Sequence, residues 1–188
     1  GELAESGCVP QKTIVFAGTC DEERGGLGAK EIIKEYPDLF PELLLIGEPT
    51  SCQAGVAQKG CIWLKLSVSG KTSHGAEPWQ GINALEQGFG LLADLREELK
   101  REEHPVLGHS TLQITMAEGG IAPNMTPDRA KFLADIRIVP PLNEKEVLNR
   151  LECLIEKRCE VYNGGLSFTP EISNYRMPVE TGPENQWL

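Results

Sequence analysis

Residues 18–26 of the chain read Gly-Thr-Cys-Asp-Glu-Glu-Arg-Gly-Gly. Three carboxylates in succession, Asp21, Glu22 and Glu23, follow the apolar run Thr13-Ile14-Val15-Phe16-Ala17. Like charges side by side repel unless something positive sits among them. One reading is local: Asp21 caps a helix and the two glutamates sit favourably on its dipole. The other is chemical: one carboxylate ligates a metal, and its neighbour takes a proton from metal-bound water. Gly25 and Gly26 are poor material for a first helical turn, and they let backbone approach something closely. A further carboxylate, Glu48 in "IGEPT", follows a second apolar run, Leu43-Leu44-Leu45-Ile46.

Three more residues could act on a substrate. His74 lies in the polar loop "SGKTSHGAEPWQGINA". It is either structural or a hydrogen-bond donor to a developing oxyanion. Asn124 lies in "EGGIAPNMTP", a loop shaped by Gly119, Gly120, Pro123 and Pro127, where asparagine is at home as a turn residue. Arg137 falls on the polar face of a strand, next but one to Asp135. It is either half of a surface pair or a fork for a substrate carboxylate. His104 and His109 flank the turn "HPVLGH" and are read as solvent-exposed, without a role. The six cysteines, Cys8, Cys20, Cys52, Cys61, Cys153 and Cys159, form no C-x-x-C pair, which argues against a zinc knuckle. They are read as mostly reduced thiols in a cytoplasmic protein. Cys20 is either a reactive thiol or a small half-buried side chain.

Positioning these residues requires two kinds of element. Residues 13–17 and 43–46 read as short buried strands, and Leu27, Ile32 and Ile33 as a helix ending before Pro37. Strand, helix and strand at this spacing make a βαβ unit of a parallel sheet, with Glu22, Glu23 and Glu48 at the strand ends where ligands bind. Further on, Ile62, Leu64, Leu66 and Val68 alternate with polar residues, as do Leu112, Ile114 and Met116, and Phe132, Ala134, Ile136 and Ile138. A long helix is expected over 81–103, and Asn143 with Glu146 opens another. A last strand runs from about Leu166 to Thr169 and ends at Pro170. The expected fold class is therefore α/β: a partial parallel-sheet domain at 1–57, then a ferredoxin-like β-α-β-β-α-β sandwich at 58–172. The tail at 173–188 is expected to re-enter the first domain. Two strands are fewer than the roughly five of a stable doubly wound sheet, so the first domain looks incomplete.

Charge narrows the partners. Eighteen basic and 28 acidic residues give a net charge of −10, which argues against nucleic acid or an anionic membrane surface. No apolar stretch approaches the roughly 20 residues of a membrane span, and no signal-peptide pattern opens the chain.

The motifs "DEERGGLGA", "IGEPT", "QKG", "SGKTSHGAEPWQGINA", "GGIAPN" and "DIR", in this order, resemble the dinuclear zinc aminoacylase and carboxypeptidase family. That family includes acetylornithine deacetylase, succinyl-diaminopimelate desuccinylase and glutamate carboxypeptidase. The resemblance runs from about Thr13 to Ser173. It implies a zinc-dependent hydrolase of the amide bond in N-acyl amino acids or small peptides, with two zinc ions, although such sites also accept cobalt or manganese. It implies Glu22 as general base, Glu23 and Glu48 as metal ligands, and His74 as a donor reaching across a dimer interface. It also implies Asn124 and Arg137 as substrate-binding residues of a lid that forms a homodimer, Arg137 holding the substrate carboxylate. The family's His-x-Asp motif, its bridging Asp and its last zinc-binding His have no counterpart here. The chain is thus expected to be a fragment, inactive alone. The alternative is a non-catalytic module for dimerisation or for binding amino-acid carboxylates.

Overall fold

The structure, a computed structural model, describes residues 5–7 and 9–185; Cys8, read above as a reduced thiol, lies outside them. The chain divides into two compact units, Gly1–Glu48 and Pro49–Leu188.

The first unit contains the expected helix, α1 (Leu27–Glu35). The expected parallel strands do not form. Residues 13–17 and 43–46 lie outside any strand. Their apolar side chains are exposed, Phe16 at 94% and Leu45 at 85%. The physical reason lies in the parallel sheet itself. It is stable when both faces are covered and several strands share the ladder, and two short runs cannot supply that cover for each other.

The second unit is the β-α-β-β-α-β sandwich. In chain order it holds β1 (Ala57–Gln58), β2 (Gly60–Ser69), α2 (Ala84–Leu99), β3 (Glu103–His104), β4 (Gly108–His109), β5 (Thr111–Gly119), β6 (Arg129–Ile138), α3 (Glu144–Glu160), β7 (Ser167–Arg176) and β8 (Val179–Glu180). The main sheet has the order β5-β6-β2-β7, every neighbouring pair antiparallel. Ile62, Leu64, Leu66 and Val68 of β2 and Phe132, Ala134, Ile136 and Ile138 of β6 face the helices. They pack with Leu91, Leu92, Leu95 and Leu99 of α2 and Val147 and Leu151 of α3. Each such aliphatic side chain contributes about 2 kcal/mol when fully buried.

Capping sets the helix starts. The Asn83 side-chain oxygen accepts from the Leu85 and Glu86 amides at 3.0 and 3.3 Å, so α2 starts at Ala84 rather than at 81. Ile82 is instead paired with Lys71. The α3 start is the expected capping box between Asn143 and Glu146.

Three details depart from the periodic reading. β7 continues through Pro170 to Arg176. It is an edge strand, where proline's missing N–H costs no ladder bond if it faces outward. The β5–β6 register shifts between Ile114 and Met116, so Thr115 is extra and Met116 stands opposite Leu133 on the outer face, 66% exposed. His104 is buried, 6% exposed, rather than solvated. Its Nδ1 accepts from the Val106 and Leu107 amides at 3.2 and 3.1 Å, and its Nε2 lies 3.2 Å from Glu180 Oε1. His109 is exposed, as expected.

Candidate functional site

Glu22 and Glu23 sit in a single 3-10 turn, Glu22–Arg24, and both are exposed. Asp21, ahead of them, has φ 60° and makes no side-chain cap bond, so it does not cap a helix. Aspartate tolerates this left-handed conformation better than most residues, at a cost of about 1 kcal/mol. Its carbonyl accepts the Gly26 amide at 2.7 Å. The Cys20 carbonyl accepts the Gly28 amide at 3.3 Å, and a Cβ on Gly28 would stand 2.6 Å from the Cys20 nitrogen. The glycines of "RGGLG" thus fold the first turn of α1 back onto the acidic turn and hold the two glutamates at its tip. Cys20 is exposed, which removes the half-buried reading. Glu48 is exposed at the end of the same unit.

These carboxylates do not amount to a metal site. Among the described residues no three His, Cys, Asp or Glu side chains gather in a way that could hold a metal ion. Zinc takes four ligands in most sites, or three with an open position. Glu23 and Glu48 do not meet that need, and the described side chains do not by themselves fit a zinc site.

His74 and Asn124 are brought together. The β2–β6 ladder continues irregularly past its last pair, Ser69 with Arg129, into the two loops. Thr126 N donates to Ser73 O at 2.9 Å, Gly75 N donates to Asn124 O at 2.8 Å, and His74 bridges Met125. The Ser73 and Thr126 hydroxyls meet at 2.7 Å. A Cβ on Gly75 would stand 3.2 Å from the Asn124 carbonyl oxygen, a tight approach that glycine relieves. The Ala76 amide donates to His74 Nδ1 at 3.1 Å. That bond makes Nδ1 the acceptor and leaves the proton on Nε2, on an exposed ring. The result is an N–H donor aimed outward from a backbone-braced loop.

Arg137 lies at the opposite end of the sheet. Eight positions along β6 separate it from Arg129, roughly 25 Å at the rise of an antiparallel strand, and Asn124 lies beyond Arg129. The Arg137 Nε donates to Asp135 Oδ1 at 2.7 Å and Nη2 donates to Asp135 Oδ2 at 3.0 Å. The Trp63 indole also donates to Asp135, at 3.3 Å. The hydrogen bond that Arg137 donates to Asp135 raises the Arg137 pKa, partial burial opposes this, and nearby Cys61 and Asp135 reinforce it. The structure therefore shows the surface pair, with the guanidinium held in one orientation by Asp135. A cavity of about 300 Å³ lined by Trp79, Ile82, Glu86, Gln87 and Tyr162 includes neither His74, Asn124 nor Arg137.

The comparison with known proteins follows from this architecture. Residues 56–163 match a family described as the peptidase dimerisation domain. The chain belongs to this family. It is 30% identical over 162 residues to an acetylornithine deacetylase of Pasteurella multocida, covering 83% of this chain and 42% of that protein. It is 30% identical over 177 residues to the acetylornithine deacetylase of Shigella sonnei, covering 89% of this chain and 46% of that one. The chain thus spans less than half the length of these curated relatives. Among solved structures, an aminohydrolase of methicillin-resistant Staphylococcus aureus superposes with a TM-score of 0.57 at 22% identity, over 70% of this chain and 33% of that one. An aminobenzoyl-glutamate utilization protein of Klebsiella pneumoniae superposes with a TM-score of 0.52 at 17% identity, over 71% and 34%. These likenesses establish the mixed α/β fold with its antiparallel sheet. No helix among the described residues of the peptidase dimerisation-family chain is long and apolar enough to cross a membrane.

Proposed function

We propose that this chain is part of a dimeric hydrolase that cleaves the amide bond of an N-acyl amino acid or small peptide. In this reading residues 1–57 belong to the catalytic domain, 58–172 form its lid and dimerisation domain, and 173–188 return toward the first. The observation that carries it is the separation of His74 and Asn124 from Arg137. A substrate of a few atoms cannot touch both ends of a sheet roughly 25 Å apart. Two copies related by a twofold axis can bring one chain's His74 and Asn124 to the other's Arg137.

The roles then follow from chemistry. Arg137 holds the substrate carboxylate with the N–H groups that Asp135 leaves over. A water oxygen attacks the amide carbonyl carbon while Glu22 takes the water's proton. The His74 Nε2–H of the second copy donates to the oxygen that becomes negative, and Asn124 helps hold the substrate beside it. The C–N bond breaks and Glu22 returns the proton to the departing amine. Glu23 and Glu48 are proposed as two of the ligands of a zinc site completed by residues other than those of this chain. Zinc, when bound, would acidify the attacking water.

Subunit mixing in the complete enzyme tests this. His74→Ala and Arg137→Ala homodimers are each expected to lose at least about a hundredfold in deacylation of an N-acyl amino acid. Mixed and reassorted, they should recover about a quarter of wild-type activity, because half the dimers then hold one intact site. No recovery on mixing rejects the shared site. A second reading, a dimerising or carboxylate-binding module without catalysis, is favoured by one observation: no metal-holding cluster forms among the described residues. In both readings the chain alone hydrolyses nothing.

A further inference from the structure

The two loops that carry His74 and Asn124 are anchored at their bases. Lys71 and Ile82 exchange amide–carbonyl bonds at 3.0 and 2.7 Å, which closes the loop around His74. The Pro127 carbonyl accepts the amide of Ala84, the first residue of α2, at 2.8 Å, which ties down the chain just after Thr126. Between these anchors the loops form a short antiparallel ribbon of opposed pairs: Ser73 with Thr126, His74 with Met125, and Gly75 with Asn124. The ribbon does not keep the β2–β6 register. Gly70 still donates to Asp128 at 2.8 Å, but the next bond runs from Thr126 to Ser73, so Lys71 and Thr72 stand against Pro127 alone.

A ribbon offset in this way needs something to fix its register, because a slip of one residue turns every side chain to the other face. Apolar side chains usually do this, and none of the opposed pairs joins two of them. The pair that faces inward consists of two hydroxyls. Thr126 is 8% exposed, Ser73 is half-buried, and their oxygens meet at 2.7 Å. The chain at Gly81 lies against the Ser73 hydroxyl, where a Cβ would stand 2.5 Å from Oγ. His74 and Met125, the next pair along, are exposed on the opposite side of the ribbon.

We propose that Ser73 and Thr126 are positioning residues, whose hydroxyl–hydroxyl bond pins the ribbon in the register that turns the His74 ring outward. The inference rests on the reading of His74 as a hydrogen-bond donor and extends it to the side chains that aim it. A slip of one residue turns the ring inward and breaks the bonds from Thr126 to Ser73 and from Gly75 to Asn124. It also separates the two hydroxyls while they are shielded from water, and a buried hydroxyl without a partner is costly. A hydrogen bond across opposed residues is directional, so it discriminates between registers where a loose apolar contact does not.

The test reads register and ring by NMR on the full 188-residue chain, without reference to catalysis. His74 and Met125 are the pair with no hydrogen bonds between them, the closer of the two antiparallel pairings. A strong Overhauser contact between their α-protons is expected. At a pH where the ring is neutral, its nitrogen shifts should report a single tautomer protonated on Nε2. Thr126→Val keeps the shape and removes one hydroxyl; Ser73→Ala removes the other. Each is expected to lose the α-proton contact, to average the ring nitrogens between tautomers, and to speed exchange of the Gly75 amide about tenfold. The double variant should be no worse than either single one, since the same bond is lost in all three. Thr126→Ser, which keeps the hydroxyl, should retain the wild-type signals. An intact α-proton contact and a single tautomer in Ser73→Ala overturn the proposal, and this arm stands even if Thr126→Val fails to fold. Loss of both signals in Thr126→Ser also overturns it, because the methyl group and not the hydroxyl would then hold the register. The reading of His74 fails separately: unchanged deacylation by a complete enzyme carrying His74→Ala overturns that reading and leaves the register pin in place.

Discussion

Asp135 orders the Arg137 guanidinium, and in the proposed role as a carboxylate fork that order would lower the entropy lost on binding. A second ion pair does structural work on the helix side of the sheet. Arg150 of α3 donates to the Glu98 carbonyl at 3.0 Å and to both oxygens of Glu102, tying α3 to the end of α2. The Arg150 hydrogen bond, outweighing desolvation, holds the Glu102 carboxyl below its ordinary range. A carboxyl whose pKa is depressed by folding stabilises the fold above its unfolded pKa. That contribution is lost as pH falls through the folded value. Glu102→Gln should therefore cost about 1 kcal/mol at pH 7 in urea unfolding. The gap from wild type should close as pH drops below the ordinary glutamate range. A gap that stays constant down to pH 3 would mean the pair carries no linked stability.

At the scale of elements, close approaches matter more than propensity. Gly88 of α2 lies over Phe132 of β6, and a Cβ there would meet the aromatic ring, 2.9 Å from Cδ2. That ring is itself held edge-on by Phe89, centroids 5.0 Å apart at 82°. Alanine gains up to about 1 kcal/mol over glycine in a helix interior. Overpacking a well-filled core costs about 1–3 kcal/mol. Gly88→Ala should therefore lower stability despite the better helix former, by about 1 kcal/mol net. A raised melting temperature would show that α2 can lift off the sheet at no cost. Two bulges, at Thr115 of β5 and Ser173 of β7, are the other element-scale devices, since they re-aim Met116 and Arg176 without breaking either strand.

On the scale of the whole molecule, the four-stranded sheet has two edges, β5 and β7, and they are not equivalent. β7 carries Pro170, which blunts an edge against strand addition. β5 carries no proline over its nine residues and remains the edge on which a second copy can add. With α2 beside it, this edge is the expected dimer surface of a chain in the peptidase dimerisation-domain family. Sedimentation velocity at micromolar concentration should give a dimer, and β5 amides should become more protected from hydrogen exchange as concentration rises. A monomer with concentration-independent exchange in β5 would remove the dimer and with it the shared site.

The alternation of Ile62 to Val68 and of Phe132 to Ile138, and the Asn143–Glu146 box, were enough to read the sandwich, because a half-buried strand and a capped helix are written in local periodicity. The acidic turn, His74, Asn124 and Arg137 were legible as residue types in shaped loops and on a polar strand face. Their relation was not. A ladder continued through Gly75 and Asn124 joins two loops some 50 residues apart, and no local pattern encodes that pairing. The bulges at Thr115 and Ser173 reverse which face the following side chains take, so a strict period of two misassigns Met116 and Arg176. The Val106 and Leu107 amides that reach the His104 ring are its near neighbours in the chain, but the Glu180 carboxylate beside it is brought there only by the fold. The apolar runs at 13–17 and 43–46 carry the composition of strands, but a strand also needs a neighbour, and pairing is a property of the tertiary structure.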